Sequence, residues 1–434
     1  MTTQSAQTGS FSVLVVGAGA REHALVWALA RSPSVREIWA VPGNPGIATM
    51  AQTFSLPIAD VAAIADWAEM HDVGLVVVGP EAPLALGLAD LLEARGIPVF
   101  GPSRAAAELE WSKAFAKDFM RRHGIPTAAY GVFAEIEAAV DFIRMASGPL
   151  VVKADGLAAG KGVLICATPA EAEDAVRAML VDRAFQAAGD RVVIEQFLEG
   201  EELSVIAVVD GERLAVLPPA RDYKRLRDGD LGPNTGGMGC YAPVQDLAPD
   251  LLARVRENVL EPAVAGLRAE GRPYRGALYA GLMLTAEGPM ALEFNCRLGD
   301  PESQVILPLL DLDLAELLLA CAEGRLATER VTTLPGVAVC VVLAAEGYPD
   351  RPRAGDSIHG VEDARQTGAL VFHAGTGERD GRLVTNGGRI LSVVGTGAVL
   401  PAAVERAYAA ADMIQCDGMQ LRRDIALSLV SHPA

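Results

Sequence analysis

Short apolar segments that each end at a glycine constrain the fold more than any other feature of this sequence. Three of them occur early in the chain: 11–16 before Gly17, 75–78 before Gly79, and 97–100 before Gly101. A helical stretch at 21–30 follows the first, and strands that alternate with helices are typical of a parallel sheet covered on both faces. Ligands bind such sheets at the carboxyl ends of the strands, where these glycines lie. We therefore predict an N-terminal α/β domain over 11–103, preceded by a disordered polar tail at 1–10.

The rest of the chain has a different pattern. A helix is predicted at 112–123, and the later strands include a hairpin whose two arms, 277–285 and 290–294, flank a Glu-Gly turn. A Pro-Gly pair at 335–336 marks a boundary. We predict a central domain over 104–334 and a small C-terminal domain over 335–434. Further predicted elements are strands at 150–154, 192–194, 203–209, 337–344 and 389–394, and helices at 311–323 and 402–413.

The charge and the apolar segments restrict the class of protein. The 434 residues carry a formal net charge of −18, which makes the chain a poor general binder of nucleic acid or anionic membranes. No apolar run reaches the roughly 18 residues of a membrane span, and the polar start lacks a signal-peptide pattern. Six scattered cysteines without a Cys-x-x-Cys pair suggest buried thiols in a reducing compartment. We therefore expect a cytoplasmic protein with neither nucleic acid nor membrane as partner.

A glycine-rich loop follows the predicted strand at 150–154. Gly156, Gly160 and Gly162 permit close backbone approach to a bulky anion, while Lys153 and Lys161 add positive charge. The spacing is not that of a Walker A loop, because no Ser or Thr follows the second lysine. The loop fits either a triphosphate cradle or a flexible hairpin with solvated lysines.

Glu293 and Asn295 alternate along one predicted strand, so both side chains lie on one face while Phe294 points to the core. Two oxygen ligands at this spacing suit Mg²⁺, which usually takes one or two protein ligands together with phosphates and water. A polar strand end facing solvent would give the same pattern.

Three further segments are candidates for binding. At 192–202, a strand end followed by acidic residues can contact an adenine edge and ribose hydroxyls, or can be a solvated turn. At 17–23, the turn begins like a dinucleotide fingerprint, but Glu22 stands in place of the third glycine, which disfavours a nicotinamide cofactor while still suiting a phosphate. At 222–239, a basic pair precedes a glycine cluster that can contact a small anionic substrate or form a surface loop.

Taken together, these segments resemble the phosphoribosylamine–glycine ligases of the ATP-grasp superfamily. The similarity runs from about Val13 to Ile425. It rests on the segments 17–24, 42–44, 78–84, 112–115, 153–162, 232–239 and 293–297. It implies an α/β multidomain fold: the N-terminal parallel-sheet domain, a two-lobed α+β ATP-grasp domain with a mobile lid lobe at about 126–203, and a small C-terminal α+β domain. It also implies an enzyme, expected to act as a monomer, that joins glycine to 5-phosphoribosylamine with ATP and Mg²⁺ or Mn²⁺.

The resemblance further assigns roles by position. Arg297, Lys153 and Asp222 would form the catalytic set, and Glu293 and Asn295 would bind the metal. Residues that would bind ATP are Lys113, Lys153, Gly156, Gly160, Lys161, Gly162, Glu195 and Phe197 at the adenine, and Glu202 at the ribose. Residues that would bind the other substrates are Gly17, Gly19, Arg21, Glu81, Asp222, Lys224, Arg225, Asn234, Gly236 and Gly237.

The sequence departs from the family pattern at Arg221 and Tyr223, where Gln and His are expected, and this leaves their part in substrate binding open. Three other interpretations of the function are open. The protein could be an ATP-grasp carboxylase, which would lack the 232–239 segment, a nicotinamide-dependent oxidoreductase, or a non-catalytic nucleotide sensor. Glu22 argues against the oxidoreductase, and the lysines and metal ligands argue against the sensor.

Overall fold

The N-terminal unit is a five-stranded parallel sheet in a computed structural model that describes residues 10–156, 162–182, 190–327, 331–427 and 429. The strands stand in the order β3-β2-β1-β4-β5. Val13 to Val16 are completely buried, because helices cover both faces of the central strand. Its elements are β1 Phe11–Gly17, α1 Ala20–Leu29, β2 Val35–Pro42, β3 Gln52–Thr53, α2 Val61–Met70, β4 Leu75–Val78, α3 Glu81–Ala85, α4 Leu88–Ala94 and β5 Val99–Phe100. The tail predicted at 1–10 lies outside the described residues except for Ser10.

Two helices lead from this unit to a second, antiparallel sheet with the order β6-β9-β7-β8. Ser112 begins the second helix by accepting a hydrogen bond from the Phe115 N–H through its hydroxyl oxygen (3.1 Å). The elements are α5 Arg104–Trp111, α6 Lys113–Arg122, β6 Tyr130–Phe133, α7 Ile136–Met145, β7 Leu150–Ala154, β8 Val163–Cys166, α8 Pro169–Leu180 and β9 Val192–Gln196. This sheet and its two packed helices, α7 and α8, fall within the lobe predicted to be a lid.

The third part of the chain forms the body of the central region. Its antiparallel sheet has the order β11-β10-β16-β17, and the β16–β17 hairpin is the one predicted from the sequence. Its elements are β10 Glu201–Asp210, β11 Leu214–Val216, β12 Arg221–Asp222, β13 Arg225–Arg227, β14 Leu231–Asn234, β15 Gly239–Ala242, α9 Leu251–Val255, α10 Glu261–Ala269, β16 Arg275–Thr285, β17 Gly288–Asn295, α11 Glu302–Ile306 and α12 Leu314–Ala322.

The C-terminal unit shares a sheet with the central region. The antiparallel order is β12-β15-β18-β22-β19, so two strands that precede residue 334 and three that follow it form one sheet, joined where β15 pairs with β18. The domain boundaries therefore remain a prediction. The C-terminal elements are β18 Val337–Ala344, α13 Val361–Gln366, β19 Leu370–His373, β20 Thr376–Arg379, β21 Arg382–Thr385, β22 Arg389–Gly397 and α14 Leu400–Ala411.

The first and last units of the chain also touch directly. The backbone N–H of His373 donates to Nδ1 of His23 (2.8 Å), and Asn44 Nδ2 donates to the carbonyls of Ala18 and His373 (2.8 Å each). Burial lowers the pKa of His23 to about 3 and that of His373 to about 4, so both rings are neutral at neutral pH. His23 therefore acts here as a packed hydrogen-bond acceptor.

All six cysteines have free thiols, five of them buried and Cys416 partly exposed. Among the described residues, no helix combines the length and the apolar character that a membrane crossing needs.

Candidate active site

A cavity of about 520 Å³ lies where the N-terminal unit, the lid lobe, the body and the C-terminal unit meet. This volume is in the usual range for sites that bind small molecules. The sequence-predicted residues that line it are Arg21, Glu81, Lys113, Lys153, Gly162, Glu195, Phe197, Glu202, Asp222, Lys224, Asn234, Gly236, Glu293, Asn295 and Arg297. Gly156 does not line the cavity, and Gly160 and Lys161 lie outside the described residues.

A buried carboxylate between two lysines forms the lid side of the cavity. Glu195 on β9 pairs through one oxygen with Lys153 on β7 and through the other with Lys117 on α6. Burial alone would raise the pKa of Glu195, but the two ammonium groups hold it below its usual value. Burial lowers the pKa of Lys117 to about 8. In this arrangement both oxygens of the Glu195 carboxylate lie beside lysine ammonium groups, and its contact with adenine stays a prediction.

The lid lobe is joined to the start of α6 through Asp155. Its Oδ1 accepts from Ser112 Oγ and from the Ala114 N–H (3.1 Å each), and Lys113 Nζ donates to the Gly156 carbonyl (3.4 Å). Phe197 lines the cavity, but its backbone N–H donates to the Pro149 carbonyl (3.2 Å). Phe197 can therefore contribute its ring and its carbonyl to a purine, whereas its amide hydrogen is already used.

Glu293 and Asn295 on β17 both face the cavity, as the alternation of the strand predicts. Burial by itself raises the pKa of Glu293, but Lys224 and then Lys153 lower it below its usual value, so the carboxylate is charged. This carboxylate makes no hydrogen bond or ion pair to any described residue. The Glu293 carboxylate and the Asn295 amide oxygen together offer two oxygen ligands to a divalent cation. Such a cation would complete its coordination shell with phosphates and water. No group of three or more acidic, His or Cys ligands occurs among the described residues, and Mg²⁺ does not need one.

Arg297, two residues after the end of β17, lies close to carboxylates of α3 and α5. Its Nε lies 3.5 Å from Glu81 Oε2 and 3.5 Å from Glu110 Oε1. Burial raises the pKa of Glu110, despite the nearby charge of Arg297. Burial also tends to raise the pKa of Glu81, but the charges of Arg297 and Arg21 together hold that pKa below its usual value. Glu110 was not predicted as a site residue, because it lies in α5 among residues with an ordinary helical pattern.

The opposite wall contains an acidic residue with an unused acceptor. Asp222 Oδ1 is buried and accepts no hydrogen bond from the described residues. Burial, followed by the charge of Glu302, raises the pKa of Asp222 well above its usual value. Lys224 Nζ lies 2.6 Å from Glu202 Oε2, so the residue predicted to hold a ribose is paired with a lysine here. The free oxygen of Asp222 suits the ammonium group of a small substrate, because the positive charge of that group would lower the pKa of the carboxyl again and favour its charged form.

The two residues that depart from the family pattern do not line the cavity. Because side chains alternate along extended backbone, Arg221 and Tyr223, on either side of Asp222, point away from the face that carries it. Arg221 pairs with Glu201 (2.9 Å), and the Tyr223 hydroxyl oxygen accepts from the Ala426 N–H (3.0 Å). Both side chains therefore make contacts that stabilise the fold and do not face the cavity.

Arg389 reaches the cavity from the C-terminal unit and was not predicted. Its guanidinium donates to the carbonyls of Gly236 (2.5 Å) and Asp300 (3.1 Å) and pairs with Asp300 Oδ2 (3.2 Å).

Gly237 has φ +108°, and a Cβ there would lie 2.6 Å from Pro301 Cδ. Gly237 is therefore needed for its backbone conformation and close packing, and it does not line the cavity.

The first glycine turn is occupied by the protein's own carboxylate. Glu22 Oε2 accepts from the Gly19 N–H (2.6 Å), and Oε1 pairs with Arg21 (2.5 Å). A Cβ on Gly17 would lie 2.6 Å from the Glu22 side chain. The Glu22 carboxylate thus lies at the start of α1, where a phosphate is expected, and of this turn only Arg21 lines the cavity.

Arg225 also lies away from the cavity. Its guanidinium donates to the Gly232 carbonyl (2.9 Å) within the β13–β14 hairpin. Its predicted contact with substrate has no support in this geometry.

Comparisons with known proteins identify the family of the chain. Three family models match the chain in order: the phosphoribosylglycinamide synthetase N domain at 11–110, its ATP-grasp (A) domain at 111–303 and its C domain at 338–428. The phosphoribosylamine–glycine ligase of Allochromatium vinosum is 51% identical over 416 residues, which are 95% of this chain and 97% of that protein.

Two solved structures extend the comparison. The crystal structure of phosphoribosylamine–glycine ligase from Thermotoga maritima matches with a TM-score of 0.85 and 39% identity, covering 96% of this chain and 100% of that one. The biotin carboxylase domain of Hydrogenobacter thermophilus 2-oxoglutarate carboxylase, solved with MgADP and bicarbonate, has a TM-score of 0.73 at 19% identity, covering 98% and 95%. The second match concerns the fold alone. The chain belongs to the phosphoribosylglycinamide synthetase family and is an ATP-grasp carbon–nitrogen ligase.

Proposed function

We propose that the protein joins glycine to 5-phospho-D-ribosylamine with ATP, forming glycinamide ribonucleotide, ADP and phosphate in de novo purine biosynthesis. The observation that carries this proposal is the composition of one cavity. It combines lysines for a triphosphate, a metal-ligand pair, and the unused oxygen of Asp222 for an ammonium group. An ATP-grasp carboxylase would need no acceptor for a substrate ammonium group.

The residues support activation of glycine by direct phosphoryl transfer. A carboxylate is a poor acylating agent because its leaving group would be oxide, whereas an acyl phosphate releases phosphate. Asp222 would hold the glycine ammonium while Lys153 and Arg297 offset charge on the transferring phosphoryl group. Glu293 and Asn295 would hold Mg²⁺ or Mn²⁺, which when bound adds positive charge at the phosphate oxygens.

In the second half of the reaction, the amine of phosphoribosylamine would attack the carbonyl carbon of glycyl phosphate. A carbon–nitrogen bond forms, phosphate leaves with the bonding electrons, and the amine loses one proton. Glu81 and Arg21 of the N-terminal unit face the cavity and would position the phosphoribosylamine. Catalysis would come mainly from positioning and electrostatics, since no protein nucleophile is required.

An ADP-release assay with glycine and freshly made phosphoribosylamine, each omitted in turn, tests the reaction. Glycine labelled with ¹⁸O in its carboxylate tests the path: one labelled oxygen should appear in inorganic phosphate as the amide forms. Release of AMP, or phosphate without label, would exclude the acyl-phosphate route while leaving the family unchanged. ADP release that needs bicarbonate and ignores glycine would refute the proposed substrates.

We also propose that the lid lobe closes over bound ATP. β8 is an edge strand that pairs with β7, its Leu164 side chain is 39% exposed, and Val163 and Ile165 line the cavity. An edge strand of this kind opens easily until a ligand covers it.

Hydrogen exchange tests this closure. Saturating Mg-ATP should slow exchange of the Val163–Cys166 amides by about tenfold or more. The β20–β21 hairpin, which contributes nothing to the cavity lining, should be unchanged and is the control. Equal exchange in β8 with and without Mg-ATP would contradict the lid.

The same proposal includes a monomer acting in the cytoplasm, with small-molecule substrates and with neither nucleic acid nor membrane as partner. The net charge of −18 supports the exclusion of nucleic acid. Light scattering after size-exclusion chromatography measures the oligomeric state.

A further inference from the structure

Lys117 is a buried lysine of the cavity wall to which neither the sequence motifs nor the proposed reaction assigns a role. Only 2% of its surface is exposed, although it lies on α6, whose next two basic residues, Arg121 and Arg122, are exposed. A buried ammonium group is costly unless it is paired and hydrogen-bonded. The partners of Lys117 therefore indicate why it is kept there.

The first partner of Lys117 is a residue of the lid lobe. Glu195 on β9 shares its two carboxylate oxygens between Lys117 and Lys153. Lys153 also donates to the Leu292 carbonyl of β17 (3.4 Å), so its ammonium group lies between the lid and the strand of the metal ligands. The position of Lys153 thus depends on Glu195, and that of Glu195 depends on Lys117.

The second partner of Lys117 connects it to the body. Lys117 Nζ donates to Thr127 Oγ1 (2.7 Å), and Thr127 Oγ1 donates to the Ala291 carbonyl (2.6 Å). Thr127 lies in the segment that enters the lid lobe, and it forms a parallel bridge with Ala291, two residues before Glu293. The Lys117 ammonium group therefore contacts both Glu195 of the lid sheet and Thr127 of the segment that leads into the lid lobe.

We propose that Lys117 is a positioning residue that holds Glu195, and through it the Lys153 ammonium, in the place where ATP phosphates bind. The inference rests on the proposed use of ATP at this cavity. Lys117 would act without contacting ATP itself, so its removal should lower ATP affinity by misplacing Lys153. The chemistry at the γ-phosphorus, which depends on the metal ligands and Arg297, should be affected less.

The test compares Lys117→Met, which keeps the length of the side chain and removes its charge, with Arg121→Met in the exposed part of the same helix. For Lys117→Met we expect KM for ATP to rise about ten- to a hundredfold, since displacement of a binding group by about 1 Å can have effects of this size. The KM for glycine and kcat should change less than about threefold. Arg121→Met should behave as the wild type.

A double-mutant cycle with Glu195→Gln separates positioning from direct contact. If Lys117 acts through Glu195, the Lys117→Met change should add little to the KM for ATP once Glu195 is Gln. Fully multiplicative effects would overturn the inference, because they would show that Lys117 acts on ATP independently. A lowered melting temperature with an unchanged KM for ATP would overturn it in favour of a structural role.

Thr127→Val provides a second test in case Lys117→Met does not fold. It keeps the shape of the side chain but removes the oxygen between Lys117 and Ala291, and should raise the KM for ATP in the same direction by a smaller factor. An unchanged KM would contradict the connection to the body. Equilibrium binding of ATP to each variant, without the other substrates, distinguishes failure of this inference from failure of the proposed reaction. Wild-type affinity in Lys117→Met would refute the positioning role alone.

Discussion

Glu293→Gln should lower turnover at limiting Mg²⁺ by about 100-fold, because a metal contributes several kcal/mol of charge stabilisation in the transition state. The substitution keeps the size of the side chain but removes its negative charge. Four nearby cations stabilise that charge by lowering the pKa of Glu293, although none of them is in direct contact with the carboxylate. The substitution also leaves Lys224, Lys153, Lys113 and Arg297 facing a neutral amide. Excess Mg²⁺ should restore part of the turnover, since Asn295 and the phosphates of ATP remain as ligands.

The measurement is kcat as a function of Mg²⁺ concentration at saturating ATP and glycine. Asn295→Ala should shift the Mg²⁺ dependence in the same direction. Glu287→Gln is the matched control, because it makes the same change at the exposed turn of the same hairpin and should have no effect. If Glu293→Gln and Asn295→Ala both keep the Mg²⁺ dependence of the wild type, the metal assignment is wrong.

Lys153→Met should weaken ATP binding by about 10- to 150-fold, because hydrogen bonds to charged groups contribute about 1.5–3 kcal/mol. Methionine fills most of the buried volume of the lysine. Glu195 keeps Lys117 as its partner, so no unpaired charge is left in the lobe. The protein should therefore remain folded in the absence of ATP.

Calorimetric titration with ATP measures the dissociation constant, and a thermal melt without ligand tests the fold. Arg144→Met removes a positive charge from the exposed face of α7 in the same lobe, where Arg144 pairs with Glu173 (3.3 Å). This control should bind ATP as the wild type does. Unchanged affinity in Lys153→Met, or a large loss of stability without ligand, would contradict the proposed role.

Local patterns were sufficient for most of the fold. The parallel N-terminal sheet, the β16–β17 hairpin and the strand at 337–344 follow from apolar runs bounded by glycine turns, and the structure has all three. The helix predicted from 311 begins instead at Leu314, because Asp313 accepts the Glu316 N–H (3.1 Å) and so ends the preceding loop. Nothing local predicts that β15 pairs with β18, since these strands are almost a hundred residues apart.

The missed residues of the site share one property: their function depends on partners that are distant in sequence. Lys117 lies one helical turn after Lys113 and so on the same face of α6, which is the signal that could have identified it. Glu110 and Arg389 carry no comparable signal, because they meet Arg297 and Asp300 only in the folded chain. Strand alternation, in contrast, was enough to put Glu293 and Asn295 together.

Glu22 has a role at the first glycine turn that its sequence motif does not predict. Its side chain was predicted to block the helix packing of a nicotinamide site, and a phosphate was expected at the same turn. The structure fills that turn with the Glu22 carboxylate instead. The α1 N-terminus favours any anion, and a carboxylate three residues along the chain is always nearer than a substrate.

The sheet shared between the central region and the C-terminal unit affects how the chain can be made. Asp222 lies on β12, which pairs with β15, and β15 in turn needs β18 as its neighbour. A nascent chain that has emerged from the ribosome as far as residue 334 contains every residue assigned to ATP and the metal, but one edge of β15 is unpaired. Unpaired strand edges promote association between chains. The last hundred residues thus supply Arg389 to the cavity wall and cover β15, whose edge would be exposed in a fragment that ends near residue 334.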